Sequence, residues 1–81
     1  MRVKIRLFGG PREVLGKAEL DRDVEPGLTA GQLLADLVEE YPALDSYAPV
    51  IKVAVNRKYV DPASELREDD EIACIPPVAG G

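Results

Sequence analysis

The sequence has no histidine and no tryptophan, one phenylalanine and one cysteine among its 81 residues. Each shortage closes off a class of function. Without histidine, no side chain has an ordinary pKa near neutrality for moving protons. A lone Cys74 permits no disulfide within the chain, so stability must come from packing, and a reducing compartment fits. No His/Cys spacing of a metal centre occurs. Gly9-Gly10 lacks the lysine and hydroxyl residue that complete a phosphate loop, so it reads as a turn, and no bound cofactor is expected. Lys and Arg are scattered, with Arg57-Lys58 the one short basic pair. That excludes nucleic acid and an anionic membrane as partners, because both need a basic patch. No stretch approaches the roughly 20 apolar residues of a membrane span. Met1-Arg2 leads straight into an alternating pattern rather than the apolar run of a secretory leader, so the chain reads as cytoplasmic.

What is present is a small globule. Apolar residues make up 46% of the chain, enough for one folded domain. A chain this short buries only about 60% of its unfolded surface, which leaves a thin core and no room for a deep catalytic cleft. The net charge is −5. That charge keeps a small domain soluble, and it also suits a partner with a basic docking surface.

The elements follow from periodicity. Arg2 to Leu7 alternates strictly, with Val3, Ile5 and Leu7 on one face, which predicts a half-buried strand. Gly9-Gly10-Pro11 breaks it, and Arg12 to Leu15 is read as one helical turn ended by Gly16. Ala18 to Val24 alternates more weakly and predicts the antiparallel partner. Thr29 with Gln32 three residues on forms a capping box, and Leu28 with Leu33 a hydrophobic staple. Leu33, Leu34, Leu37, Val38 and Tyr41 then make one apolar helical stripe, stopped by Pro42. A loop leads to a third strand at Ile51 to Val55. A turn at Asn56-Arg57-Lys58 precedes a short strand at Tyr59-Val60. Glu68-Asp69-Asp70 reads as a tight acidic turn before a last strand, Glu71 to Ile75, which Pro76-Pro77 ends. One amphipathic helix on one face of a small mixed sheet buries every apolar stripe. The fold class is therefore α+β, in a β-grasp (ubiquitin-like) arrangement. The globular domain covers residues 1–75, and residues 76–81 form an extended C-terminal tail.

The tail carries the chemical signal. From Ile72 to Gly81 no side chain is charged, and the sequence closes on Gly80-Gly81. Two prolines stiffen the exit into an extended backbone. The side chains then taper through Val78 and Ala79 to glycine, a shape that a narrow channel in a partner admits. Such an end offers one reactive group, its α-carboxylate. A carboxylate is a poor acyl donor until it is given a good leaving group, as in an acyl adenylate. The chain has no means of making one, so an ATP-using partner has to. Phe8 and Ile75 fall on the solvent side of their strands if Ile72 and Cys74 face the helix, and are then candidates for an apolar interface. Cys74 sits between Ala73 and Ile75 without a base and reads as a buried structural residue. Arg12 and Glu13 are a candidate ion pair or partner contact.

Phe8-x-x-x-Arg12-Glu13, Ala54-Val55-Asn56, Asp70-Glu71-Ile72-Ala73 and the ending Pro76-Pro77-Val78-Ala79-Gly80-Gly81 resemble the MoaD/ThiS family of ubiquitin-like proteins. The likeness is to its sulfur-carrier subunits of molybdopterin synthase and covers the whole chain. Pro-Pro-Val-x-Gly-Gly is its most specific part, since the related thiamine-pathway carriers typically lack the two prolines. Asp69 stands where glycine is frequent, and Cys74 where a larger apolar residue is frequent. The resemblance implies a non-catalytic subunit of a sulfurtransferase complex. A ubiquitin-activating-like enzyme uses ATP to adenylate the Gly81 carboxylate, and sulfur then converts it to a thiocarboxylate. The tail enters the large synthase subunit, where sulfur passes to the molybdopterin precursor. Gly80 lets the end pass, and Phe8, Ile75, Pro76, Pro77, Val78 and Ala79 meet the partner. A carrier for thiamine synthesis or tRNA thiolation, and a ubiquitin-like modifier of lysines, use the same activated end and remain open alternatives.

Overall fold

The computed structural model describes residues 1–77. Five strands form one sheet in the order β2-β1-β5-β3-β4: β1 (Arg2–Leu7), β2 (Glu19–Asp23), β3 (Lys52–Val55), β4 (Lys58–Tyr59) and β5 (Glu71–Ile75). The central pair, β1 and β5, runs parallel, and the other pairs are antiparallel. Two helices complete the fold, α1 (Gly9–Leu15) and α2 (Ala30–Glu40), and 3-10 turns at Pro42–Leu44 and Ala48–Val50 shape the loop to β3. This is the expected β-grasp.

Side-chain parity assigns the faces. Val3, Ile5 and Leu7 of β1 and Ile72 and Cys74 of β5 are buried beneath Leu33 and Leu37 of α2, with Leu20, Leu44 and Leu66 closing the core. Each such large aliphatic side chain contributes about 1.5–3 kcal/mol by leaving water. The other face of β1 presents Arg2, Lys4 and Arg6. These pair across to β2 through Arg2–Asp23 (3.1 Å), Lys4–Glu19 (3.8 Å) and Arg6–Glu19 (3.4 Å). The Asp23 carboxyl lies below its ordinary range because Arg2 donates a hydrogen bond to it and adds a positive charge. These pairs are exposed and screened, so they set register more than stability.

The start of α2 is fully satisfied. Gln32 N–H donates to Thr29 Oγ1 (3.2 Å), and Thr29 N–H donates to Gln32 Oε1 (2.9 Å), the expected capping box. The next free donors, Ala30 and Gly31 N–H, reach the carbonyls of Ser64 and Pro62, both at 2.9 Å. Helix ends otherwise leave such groups unpaired.

Strand β2 is shorter than expected by one residue at each end and β3 by one at its start, and two other boundaries differ more tellingly. The helix α1 begins at Gly9, not Arg12, and takes in Gly10 and Pro11. Proline is tolerated there because a first-turn residue needs no N–H donor. Gly16 ends α1 as expected, in the left-handed region at φ 69°. Strand β4 is Lys58–Tyr59 rather than Tyr59-Val60, because the turn consists of two residues, Asn56 (φ 50°) and Arg57 (φ 73°). That geometry matches the right-handed twist of a tight hairpin.

Candidate functional site

The site is built where β1 and β5 end side by side. Their parallel register pairs Ile5 with Ile72 and Leu7 with Cys74, both pairs facing the core. One residue further, Phe8 and Ile75 face outward. Phe8 precedes α1 in an extended conformation and is 40% exposed, and Ile75 is half-buried. The chain then turns sharply at Gly9 (φ 59°), where an added Cβ would sit 3.0 Å from Pro76 Cγ. Glycine at position 9 therefore lets the end of β5 cross close to the start of α1. Phe8, Gly9, Ile75, Pro76 and Pro77 line an open, shallow apolar hollow of about 460 Å³ at the exit of the C-terminal segment. The expected contacts at Val78 and Ala79, and the reactive end at Gly80 and Gly81, lie outside the described residues.

The outward face continues away from the hollow. Register places Arg6, Ala73, Ala54 and Tyr59 in one cross-strand row over β1, β5, β3 and β4. The two alanines make a low floor. Phe8 and Ile75 stand on one side and Tyr59 on the other, with Arg57 and Glu71 at the rim. Tyr59 is 67% exposed, the most open of the large apolar side chains among the described residues. The sequence reading missed it. Its signal was parity: Tyr59 pairs with Ala54, which pairs with Ala73, and Ala73 shares the outward face of β5 with Ile75.

Other expected residues take different roles. Cys74 is 2% exposed, and burial pushes its thiol up to about 11, so it is a packed side chain with little thiolate at neutral pH. Arg12 and Glu13 are both exposed, and no salt bridge joins them among the described residues. Asn56 and Asp70 prove to be structural. Asn56 Nδ2 donates to Asp70 Oδ1 (3.0 Å), Arg67 N–H donates to Asp70 Oδ2 (2.7 Å), and Glu71 N–H donates to Asn56 Oδ1 (3.1 Å). Together they tie the β3–β4 turn to the start of β5, which carries Ile75 and the tail.

A model of the ThiS family matches residues 5–81. This chain belongs to the ThiS family. Among curated relatives of this ThiS-family protein, the molybdopterin synthase sulfur carrier subunit of Chlamydomonas reinhardtii is 37% identical over 83 residues, spanning all of both chains. The protein of that name from Mycobacterium tuberculosis is 32% identical, covering 100% of this chain and 99% of the relative. Among solved structures, SAMP1 from Haloferax volcanii superposes with a TM-score of 0.85 at 30% identity, each chain fully covered. A molybdopterin-converting factor subunit from Helicobacter pylori, solved as a complex of subunits 1 and 2, shares the fold at a TM-score of 0.73 and 24% identity, with both chains fully covered.

Proposed function

We propose that this ThiS-family protein is a sulfur-carrier subunit of molybdopterin synthase, and that Gly81 carries the transferred sulfur. The observation that carries the reading is full-length similarity to proteins of that name, together with an apolar docking face beside the exit of the C-terminal segment. The globular body holds no nucleophile suited to the task, since the Cys74 thiol is buried and stays protonated. The reactive centre in this proposal is the terminal carboxylate.

The chemistry takes three steps. An adenylating partner enzyme joins the Gly81 carboxylate to the α-phosphate of ATP and releases pyrophosphate. A sulfur nucleophile attacks the acyl carbon, AMP leaves with the bonding electron pair, and the end becomes a thiocarboxylate. In the large synthase subunit that sulfur attacks an electrophilic carbon of the molybdopterin precursor and displaces an oxygen leaving group, giving a thioester. Water then attacks the acyl carbon and breaks the acyl C–S bond, so sulfur stays on the product and the carrier returns as a carboxylate. A dithiolene needs two sulfur atoms, so two charged carriers serve each product. The protein does no catalysis alone. It positions an acyl group, and Phe8, Ile75, Pro76 and Pro77 hold it in register with the partner.

The test is intact mass. Incubation with the activating enzyme, ATP and a sulfur donor raises the mass by one oxygen-to-sulfur exchange. Unchanged mass with an enzyme active on another carrier rejects the proposal.

A second reading is favoured by the likeness to SAMP1, a protein named small archaeal modifier. The same acyl adenylate attacked by a lysine amine gives an isopeptide bond. Peptide mapping that finds Gly81 joined to target lysines supports this reading.

A further inference from the structure

The charge placed around the docking face opposes the charge of the molecule. Four charged side chains line the groove and a second hollow, which Val50, Lys52 and Tyr59 form with Ile75, Pro76 and Pro77: Arg6, Lys52, Arg57 and Glu71. Glu71 already sits 3.3 Å from Arg6 Nε, and Arg6 also pairs with Glu19. Lys52 and Arg57 are exposed and make no salt bridge among the described residues. The face therefore presents two cations without an ion-pair partner among the described residues, on a chain of net charge −5. Much of the acidic excess lies elsewhere, on the outer side of α2 at Asp36 and Glu39 and in the loop before β5, while the β2 carboxylates share the outward face, where Glu19 and Asp23 are paired with the β1 cations. Arg57 also occupies the second turn position at φ 73°, where glycine meets no steric penalty, so its side chain is held at the rim against a backbone preference.

A partner that covers this face must desolvate or closely approach both cations. Opposite charge compensates them, whereas a basic partner surface would meet like charge. We infer that the partner surface received here is apolar at its centre and flanked by carboxylates that face Arg57 and Lys52. This rests on the reading of Phe8 and Ile75 as the docking face, and it deepens that reading by stating the partner's chemistry. It reverses the partner charge argued from the chain average. Net charge sums over all faces, but encounter is steered by the face that docks.

The experiment follows association of the full-length protein with the molybdopterin synthase large subunit from the same genome, by stopped flow or surface plasmon resonance, between 25 and 300 mM salt. The variants are Arg57→Glu, Lys52→Glu, the double reversal, Lys17→Glu as a remote change of equal charge, and Phe8→Ala. The wild-type on-rate falls as salt rises, because screening weakens attraction. Each groove reversal slows association about threefold and the pair about tenfold, with the dissociation rate changing far less, as rim charges act. Lys17→Glu has less than half the effect of either single reversal. Phe8→Ala raises the dissociation rate at every salt concentration. A wild-type on-rate that rises with salt, or reversals that speed association, overturns the inference while Phe8→Ala still marks the face. A Phe8→Ala variant that binds like wild type overturns the docking face, and the inference with it. Circular dichroism confirms that each variant is folded.

Discussion

Removing the carboxylate of Asp70 tests whether the body holds β5 as described. Asp70 is 8% exposed and accepts from Asn56 Nδ2 at 3.0 Å and from Arg67 N–H at 2.7 Å. Hydrogen bonds to a charged acceptor contribute about 1.5–3 kcal/mol each, and donors stripped of a partner in a buried place add a penalty. Partial solvent access at the rim reduces the sum, so Asp70→Ala is expected to lose about 3 kcal/mol. At about 4–8 °C per kcal/mol for a domain of this size, the melting temperature falls by about 12–24 °C. Asn56 separates two effects. Asn56→Gly loses its side-chain bonds but keeps freedom at φ 50°, for a cost of about 1–2 kcal/mol. Asn56→Ala adds about 1 kcal/mol for the left-handed backbone. Urea titration measures all three, with an unchanged m-value showing that the denatured state is the same. Below their unfolding transitions the variants bind the large subunit like wild type, because neither residue belongs to the outward face. A loss under about 0.5 kcal/mol for Asp70→Ala would refute the bracket as a structural device. So would an alanine at position 56 that is no worse than glycine.

Thr29→Ala removes the acceptor for Gln32 N–H and should cost about 1 kcal/mol in urea unfolding, whereas Thr29→Ser should cost a few tenths. Burial raises the Cys74 thiol from 9.0 to about 11. The folded state therefore keeps its proton where the unfolded chain has lost it. The stability contributed is full below about pH 9 and is lost as pH rises toward about 11, by about 1.4 kcal/mol per pH unit. Cys74→Val should remove that slope relative to wild type, and equal slopes would contradict it. Native Cys74 should likewise resist alkylation at pH 8 and react promptly in denaturant.

The parts legible in the sequence are those set by local periodicity. Val3, Ile5 and Leu7 alternate against three cations, so β1 and its buried face follow from parity alone. Thr29 and Gln32 announce the start of α2 because both capping partners lie within one turn. Parity also put Ile72 and Cys74 on one face of β5 and Ile75 on the other, and their burial then sets Ile75 outward beside Phe8. Features that depend on distant segments were not legible. Gly9-Gly10-Pro11 looks like a break, yet it is the first turn of α1, where Pro76 and Tyr47 pack closely against the two glycines. The place of Tyr59 on the docking face depends on two successive strand pairings across residues 54 to 73, which no local pattern encodes. Charge misled for the same reason. A total of −5 does not say that Arg57 lines the groove and Lys52 a neighbouring hollow of the same face.

The most direct measurement is the mass of the intact protein, and of its C-terminal peptide, after reaction with activating enzyme, ATP and a sulfur donor. The account predicts one oxygen replaced by sulfur, located at Gly81, and sulfur transfer to the precursor only when the large subunit is added. An unmodified Gly81 under conditions that charge another carrier, or full sulfur transfer by a variant lacking Gly80-Gly81, would contradict it.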